Sequence, residues 1–190
     1  GESQVSGLAN SVGAFALPPG SRDAALAGEL AAGTYTAQLT DATGASGIAL
    51  LEVYDAGAPG VARLTNVSAR STVGTGGGIL IAGFTLSGAG TRRLLIRAVG
   101  PTLASFGVDG ALADPRLELY VGGGAQPIAS NNDWDQAAAA AFGTVGAFAL
   151  RPNSFDSVLL VTLAPGSYTA QVSGAGGTTG VALVEIYELP

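Results

Sequence analysis

The sequence repeats itself, and that repeat limits the fold more than any other feature. Residues 12–55 (VGAFALPPGSRDAALAGELAAGTYTAQLTDATGASGIALLEVYD) align without a gap on residues 145–188 (VGAFALRPNSFDSVLLVTLAPGSYTAQVSGAGGTTGVALVEIYE) at an offset of 133, with more than half of the positions identical. A period of that length is a whole domain and not one rung of a solenoid. The chain is thus expected to hold one full module, 58–190, preceded by a half-module, 1–57, the closing part of another period. With 58–133 as the opening half of a period, the order is closing, opening, closing. Two closing halves then compete for one opening half.

The apolar segments are short and broken by Gly, Pro, Asn and Asp, which is how all-β chains read. Alternation of period two predicts half-buried strands over 34–40 (TYTAQLT) and 167–173 (SYTAQVS), each entered through a glycine turn. The runs at 48–54 (IALLEVY) and 181–187 (VALVEIY) are apolar on both faces and predict central strands. The small-residue stretch 56–63 (AGAPGVAR) predicts a linker, and further strands are expected at 64–70, 79–86, 92–99, 117–121 and 127–130. Asn132 or Asp133 is placed to cap a short helix over 134–142 that Gly143 would end; the matching stretch of the first copy has Gly, Ser and Asn in its place, a poor helix. The expected fold is all-β, a sandwich of jelly-roll or immunoglobulin-like type preceded by a half-module of the same repeat.

Composition narrows the function. The chain has no Cys, Met, His or Lys, and all eight basic residues are arginine. Without cysteine there is no disulfide scaffold or thiolate metal site, and without histidine the usual general base and transition-metal ligand are missing. A Gly/Ala-biased genome explains this usage, as does exposure to oxidants and proteases outside the cell. A net charge of −6 argues against nucleic acid, which needs a basic face. No apolar run reaches the ~18 residues of a spanning helix. The opening Gly-Glu-Ser-Gln has no secretory-leader pattern, which is how a processed chain would begin.

Several stretches in the second period, LTNVSARSTVGTGGGILIAGF, RRLLIRAVGPTLASFGVDGALADPRLELY, IASNNDW, LAPGSYTAQVSG and GVALVEIY, resemble a module repeated in large secreted proteins of environmental bacteria. The resemblance covers 58–190 nearly end to end, and 1–57 matches its closing half. DPRLELY, ASNNDW and LAPGSYTAQVSG also resemble the bacterial pre-peptidase C-terminal domain, a secreted β-sandwich appended to exported enzymes. These resemblances imply an extracellular or cell-surface accessory or structural module and no catalysis. The chain departs from them in having one and a half modules and no attached enzyme.

The densest polar cluster is Asn131, Asn132, Asp133 and Asp135, with Asp109 and Asp114 upstream; of these, Asp114, Asn131, Asp133 and Asp135 are the candidate calcium ligands. Alternate carboxylates and loop carbonyls suit calcium, and an Asx-rich turn with a helix cap needs no metal; the sequence leaves both open. Ser21-x-Asp23 and Ser154-x-Asp156 hold the same place in both copies and read as turns, since a nucleophilic serine needs an adjacent base. The glycines of TVGTGGGILIAGF mimic a dinucleotide fingerprint, but no helix is expected after them, so a loose hairpin loop is the plainer reading. Trp134 is a core lid or a stacking ring for a polysaccharide, and Asn66-Val67-Ser68 matches a glycosylation sequon. Glu52 and Glu185 are the single charges in otherwise apolar runs, and a carboxylate there is costly unless paired. Arg97 interrupts a similar run (LLIRAV), so Arg97, or failing it Arg116, is expected to pair with Glu185; Glu52 has only Arg22 in its own half. The chain is therefore expected to be non-catalytic, a self-assembling subunit that meets copies of itself head to tail in a filament or surface layer. A carbohydrate-binding module and a piece of a longer repeat protein are the alternatives.

Overall fold

The computed structural model describes residues 2–57 and 63–190. The chain forms two compact units, Gly1–Leu64 and Thr65–Pro190. Most of the linker expected at 56–63 (58–62) lies outside the described residues.

The second unit is an all-β sandwich. Its strands are β1 (Asn66–Val73), β2 (Leu80–Leu86), β3 (Arg92–Val99), β4 (Pro115–Val121), β5 (Ala129–Asn131), β6 (Ser157–Leu163), β7 (Gly166–Gly174) and β8 (Gly180–Glu188). They form two four-stranded antiparallel sheets, in the orders β1-β8-β3-β6 and β2-β7-β4-β5. Side chains alternate across each strand. From β3, Leu94, Ile96 and Ala98 point between the sheets, where they meet Leu117, Leu119, Ala170, Val172, Ala182 and Val184 in the main core. Leu95 and Val99 point to the opposite face, beneath a lid from the 134–150 segment, and form a second core with Phe142, Leu150, Val158 and Tyr187. Both faces of β3 and β8 are therefore covered, which is why LLIRAV and VALVEIY are apolar at successive positions.

Three details of the second unit differ from expectation. β6 lies outside the strands expected from sequence; its first-copy equivalent, AALAGEL, has little strand propensity. The glycine-rich turn 74–78 carries the chain from one sheet to the other and is not a hairpin loop. The expected helix at 134–142 is reduced to a 3-10 turn, Gln136–Ala138, and one α-turn, α2 (Ala139–Phe142), followed by a second 3-10 turn through Gly143. Its cap is Asp135, which accepts from the Ala137 N–H, and neither Asn132 nor Asp133 takes that part. The reason is tertiary: the Asn131 side chain accepts from the Val158 N–H and the Trp134 N–H donates to the Asp156 carbonyl, so 131–134 is tied to the β6 side.

The first unit reverses both expectations made for it. Its stretch with poor helix signals forms an eleven-residue helix, α1 (Glu2–Val12). The strands expected at 34–40 and 48–54 are absent. From 15 to 57, the backbone–backbone hydrogen bonds among the described residues are two turn closures, Ser21 to Pro18 and Gly44 to Asp41.

Candidate assembly site

The strand ladders explain why one sequence takes two forms. Among the described residues, β6 pairs with β3, β7 with β2 and β4, and β8 with β1 and β3. Every ladder of the closing half is thus made with the opening half, and no two closing strands pair with each other. A closing half alone has nothing to hydrogen-bond its strands, and an unpaired strand is not stable in water. This accounts for the absence of sheet in 13–57 despite its sequence.

Beyond the ladders, two buried acidic groups fasten the halves of the complete module. Arg97 and Glu185 face each other directly in the β3–β8 register. Arg97 Nε donates to Glu185 Oε2 at 2.9 Å, Nη2 donates to the same oxygen, and Nη1 donates to the Phe148 carbonyl at 2.6 Å. The guanidinium is fully buried, with its carbon 4.4 Å from the Phe148 ring centre and 4.9 Å from that of Phe142. Tyr187 Oη completes the cluster by donating to Glu185 Oε1 at 2.6 Å. Burial and that carboxylate push the Tyr187 phenol well above its ordinary range. Arg116 pairs with Glu118 instead.

The second fastening is Asp156, also fully buried. It accepts from the N–H groups of Gly100 (2.8 Å) and Thr102 (3.3 Å), from Thr102 Oγ1, and from Ser154 Oγ at 2.5 Å. The Arg151 N–H donates to Thr102 Oγ1, and Trp134 Nε1 donates to Ser154 Oγ. The Ser-x-Asp turn is therefore a clasp between the start of β6 and the turn after β3, which motif reasoning on Ser and Asp alone did not reveal. Trp134 packs on Phe142 within the lid.

A third junction is a close approach of backbones. A Cβ on Gly180 would lie 2.7 Å from the Gly110 carbonyl oxygen and 2.8 Å from Leu112 backbone atoms. Only glycine lets β8 pass the opening half there.

All three closing-half residues recur in the first copy, without their partners. Asp23 matches Asp156, Glu52 matches Glu185 and Gly47 matches Gly180. The Asp23 carboxylate has no hydrogen-bond or ion-pair partner among the described residues, and Ser21 Oγ accepts only from the Asp23 N–H. Glu52 keeps its tyrosine, Tyr54, at 3.0 Å, and among the described residues neither Arg22 nor any other arginine pairs with it. Around Gly47 there is open space. The apolar positions behave alike: Leu26 is 101% exposed against 9% for Leu159, and Tyr35 55% against 8% for Tyr168. The copies part at one turn, where Asp41 stands in place of Gly174. The Asp41 carboxylate accepts from Thr43 and Ala45, which holds it below the usual carboxylate range.

Two of the four candidate calcium ligands, Asn131 and Asp135, are engaged within the protein. The Asn131 amide bonds Val158 and the Asp133 carbonyl, and Asp135 caps the 3-10 turn. Asp114 has one carboxylate oxygen buried without a partner, and burial, with a smaller effect of Asp133, pushes its pKa up. Among the described residues, no three His, Cys, Asp or Glu side chains gather to hold a metal ion. The Asn66 amide of the sequon donates to the Ile186 carbonyl.

No protein-family model and no curated protein matches the sequence. Among solved structures, the chain is similar to the pre-peptidase C-terminal domain of a collagenase from Bacillus anthracis, with a TM-score of 0.41 and 12% identity over 64% of this chain and 89% of that one. A likeness that loose says nothing of activity. No helix among the described residues is long and apolar enough to cross a membrane.

Proposed function

We propose that this chain is a non-catalytic structural protein, a subunit of an extracellular filament or surface layer built from β-sandwich modules joined head to tail, with 1–57 as the connector. The observation that supports this reading is the contrast between the copies: 145–188 is ordered by ladders to an opening half, whereas 13–57, identical to it at more than half of the aligned positions, has no ladder among the described residues. A half-module of this kind exposes unpaired backbone groups and apolar side chains, which soluble proteins cover by contact with another chain or domain. A contact between unlike surfaces, closing segment to opening segment, propagates through subunits that offer both a closing segment and a free opening segment, whenever its rotation does not close into a ring.

Negative-stain microscopy of the native material tests the proposal. Ordered fibres or sheets are expected, and they should persist in 1 M salt, because ladders and buried side chains are not reached by screening that acts on exposed charges within ~3 Å at that concentration. Monodisperse particles in the native material would contradict the reading, as would fibres that dissolve on raising the salt.

A further inference from the structure

Which partner covers 14–57 can be read from the complete module. In that module the closing half is enclosed by strands of fixed order: β7 between β2 and β4, β8 between β1 and β3, and β6 beside β3. At the offset of 133, residues 33–41 stand for β7, 47–55 for β8 and 24–30 for β6. We infer that 14–57 is the donor half of a split module, and that its partner is an opening half of this same repeat that carries no closing half of its own. The inference rests on the reading of 1–57 as the connector and adds the identity of what it connects to.

Three observations define that partner's chemistry. Glu52 calls for an arginine at the position of Arg97, held across the ladder as Arg97 faces Glu185. Asp23 calls for a turn that presents two backbone N–H groups and a hydroxyl, as Gly100 and Thr102 do for Asp156. Gly47 calls for a backbone passing as closely as Gly110 and Leu112 pass Gly180. A glycine within a strand-forming run weakens that strand unless another backbone needs the room. None of the three residues has such a use within its own unit, where Asp23 and Glu52 are exposed and Gly47 faces open space.

The tally of halves decides between a second copy and a vacant opening half. The described residues contain two closing segments and one opening segment, and that opening segment is already filled by 145–188. If 14–57 of one copy entered the opening half of another, it would displace an equivalent segment and leave the number of unpaired halves unchanged. The displaced segment is also tethered to its opening half, which gives it the advantage of an intramolecular competitor. A vacant opening half loses nothing and gains every ladder.

The test is the full chain extended by a second copy of residues 58–133 placed directly before Gly1, which restores the spacing of the period. Hydrogen exchange should then protect amides at 34–40 and 48–54 to the degree seen at 167–173 and 181–187. Gly47→Val, harmless in the unextended chain, should abolish that protection while 65–190 stays protected. Glu52→Gln should speed exchange across 34–54 at least tenfold. The inference is overturned if 34–54 remains unprotected in the extended chain, or if Gly47→Val leaves its protection intact. It is also overturned if the unextended chain, on concentration, gains protection at 34–54 as it loses it at 167–187, for then the partner is a second copy. None of these readouts depends on filaments forming, so failure here and failure of the structural role are separable.

Discussion

At the scale of single residues, the module depends on a few buried polar groups whose partners lie across the boundary between its halves. Arg97 is fully buried and its charge is matched by Glu185, which is 4% exposed. Glu185→Gln removes the match and leaves the guanidinium with the Phe148 carbonyl and aromatic rings. The expected loss of stability of 65–190 is about 3–5 kcal/mol, and pairing Arg97→Met with Glu185→Leu should recover most of it. Glu52→Gln, at an exposed site, should shift the unfolding of the isolated chain by less than about 0.5 kcal/mol. Urea denaturation followed by Trp134 fluorescence reads both, and equal losses would contradict the assignment of Glu52 to an external partner. Asp114 provides a test with the opposite sign. Its pKa is raised by burial, so the folded state binds its proton more tightly than the unfolded chain, whose value is near 3.8. The ionised group therefore subtracts from stability above the folded pKa, and the penalty vanishes as pH falls below the unfolded value. Asp114→Asn is expected to stabilise the module at pH 7, with no gain near pH 3. A stabilisation that is constant with pH would show that charge is not the cause.

At the scale of elements, the same strand sequence is legible and yet insufficient. The run 181–187 announces a central strand because both of its faces are covered, 92–99 reads as a strand, and β3 and β8 lie where those runs lie. Arg97 and Glu185 stood out as charges in apolar runs, and the fold sets them opposite each other. What could not be read was dependence on a partner. Alternation over 34–40 records which face a strand would bury, not whether a neighbour exists to pair with it, and no closing strand pairs with another. The Asp156 clasp was hidden for a related reason: three of the four groups that bind it are donated by Gly100 and Thr102, more than fifty residues away, and two of those are backbone N–H groups without sequence signature. The short helix at 134–142 was misread because a tie from Trp134 to Asp156 overrides a local capping signal. β6 lies in an apolar, β-branched run, SVLLVTL, outside the expected strands, and its first-copy equivalent AALAGEL lacks that signal.

At the scale of the whole molecule, the chain contains an internal control: two segments of closely similar sequence, one with an opening half and one without. The account holds that order in this repeat comes from completing the module and not from the segment itself. Hydrogen exchange on the unaltered chain, resolved by peptide mass spectrometry, tests this most directly. Amides at 34–40 and 48–54 should exchange at rates close to those of an unstructured peptide. Amides at 167–173 and 181–187 should be slowed at least a thousandfold, because the ladders of β7 and β8 open only with the sandwich. Equal protection of the two copies in the dilute, unaltered chain would contradict the account, since 13–57 would then be ordered without an opening half of its own.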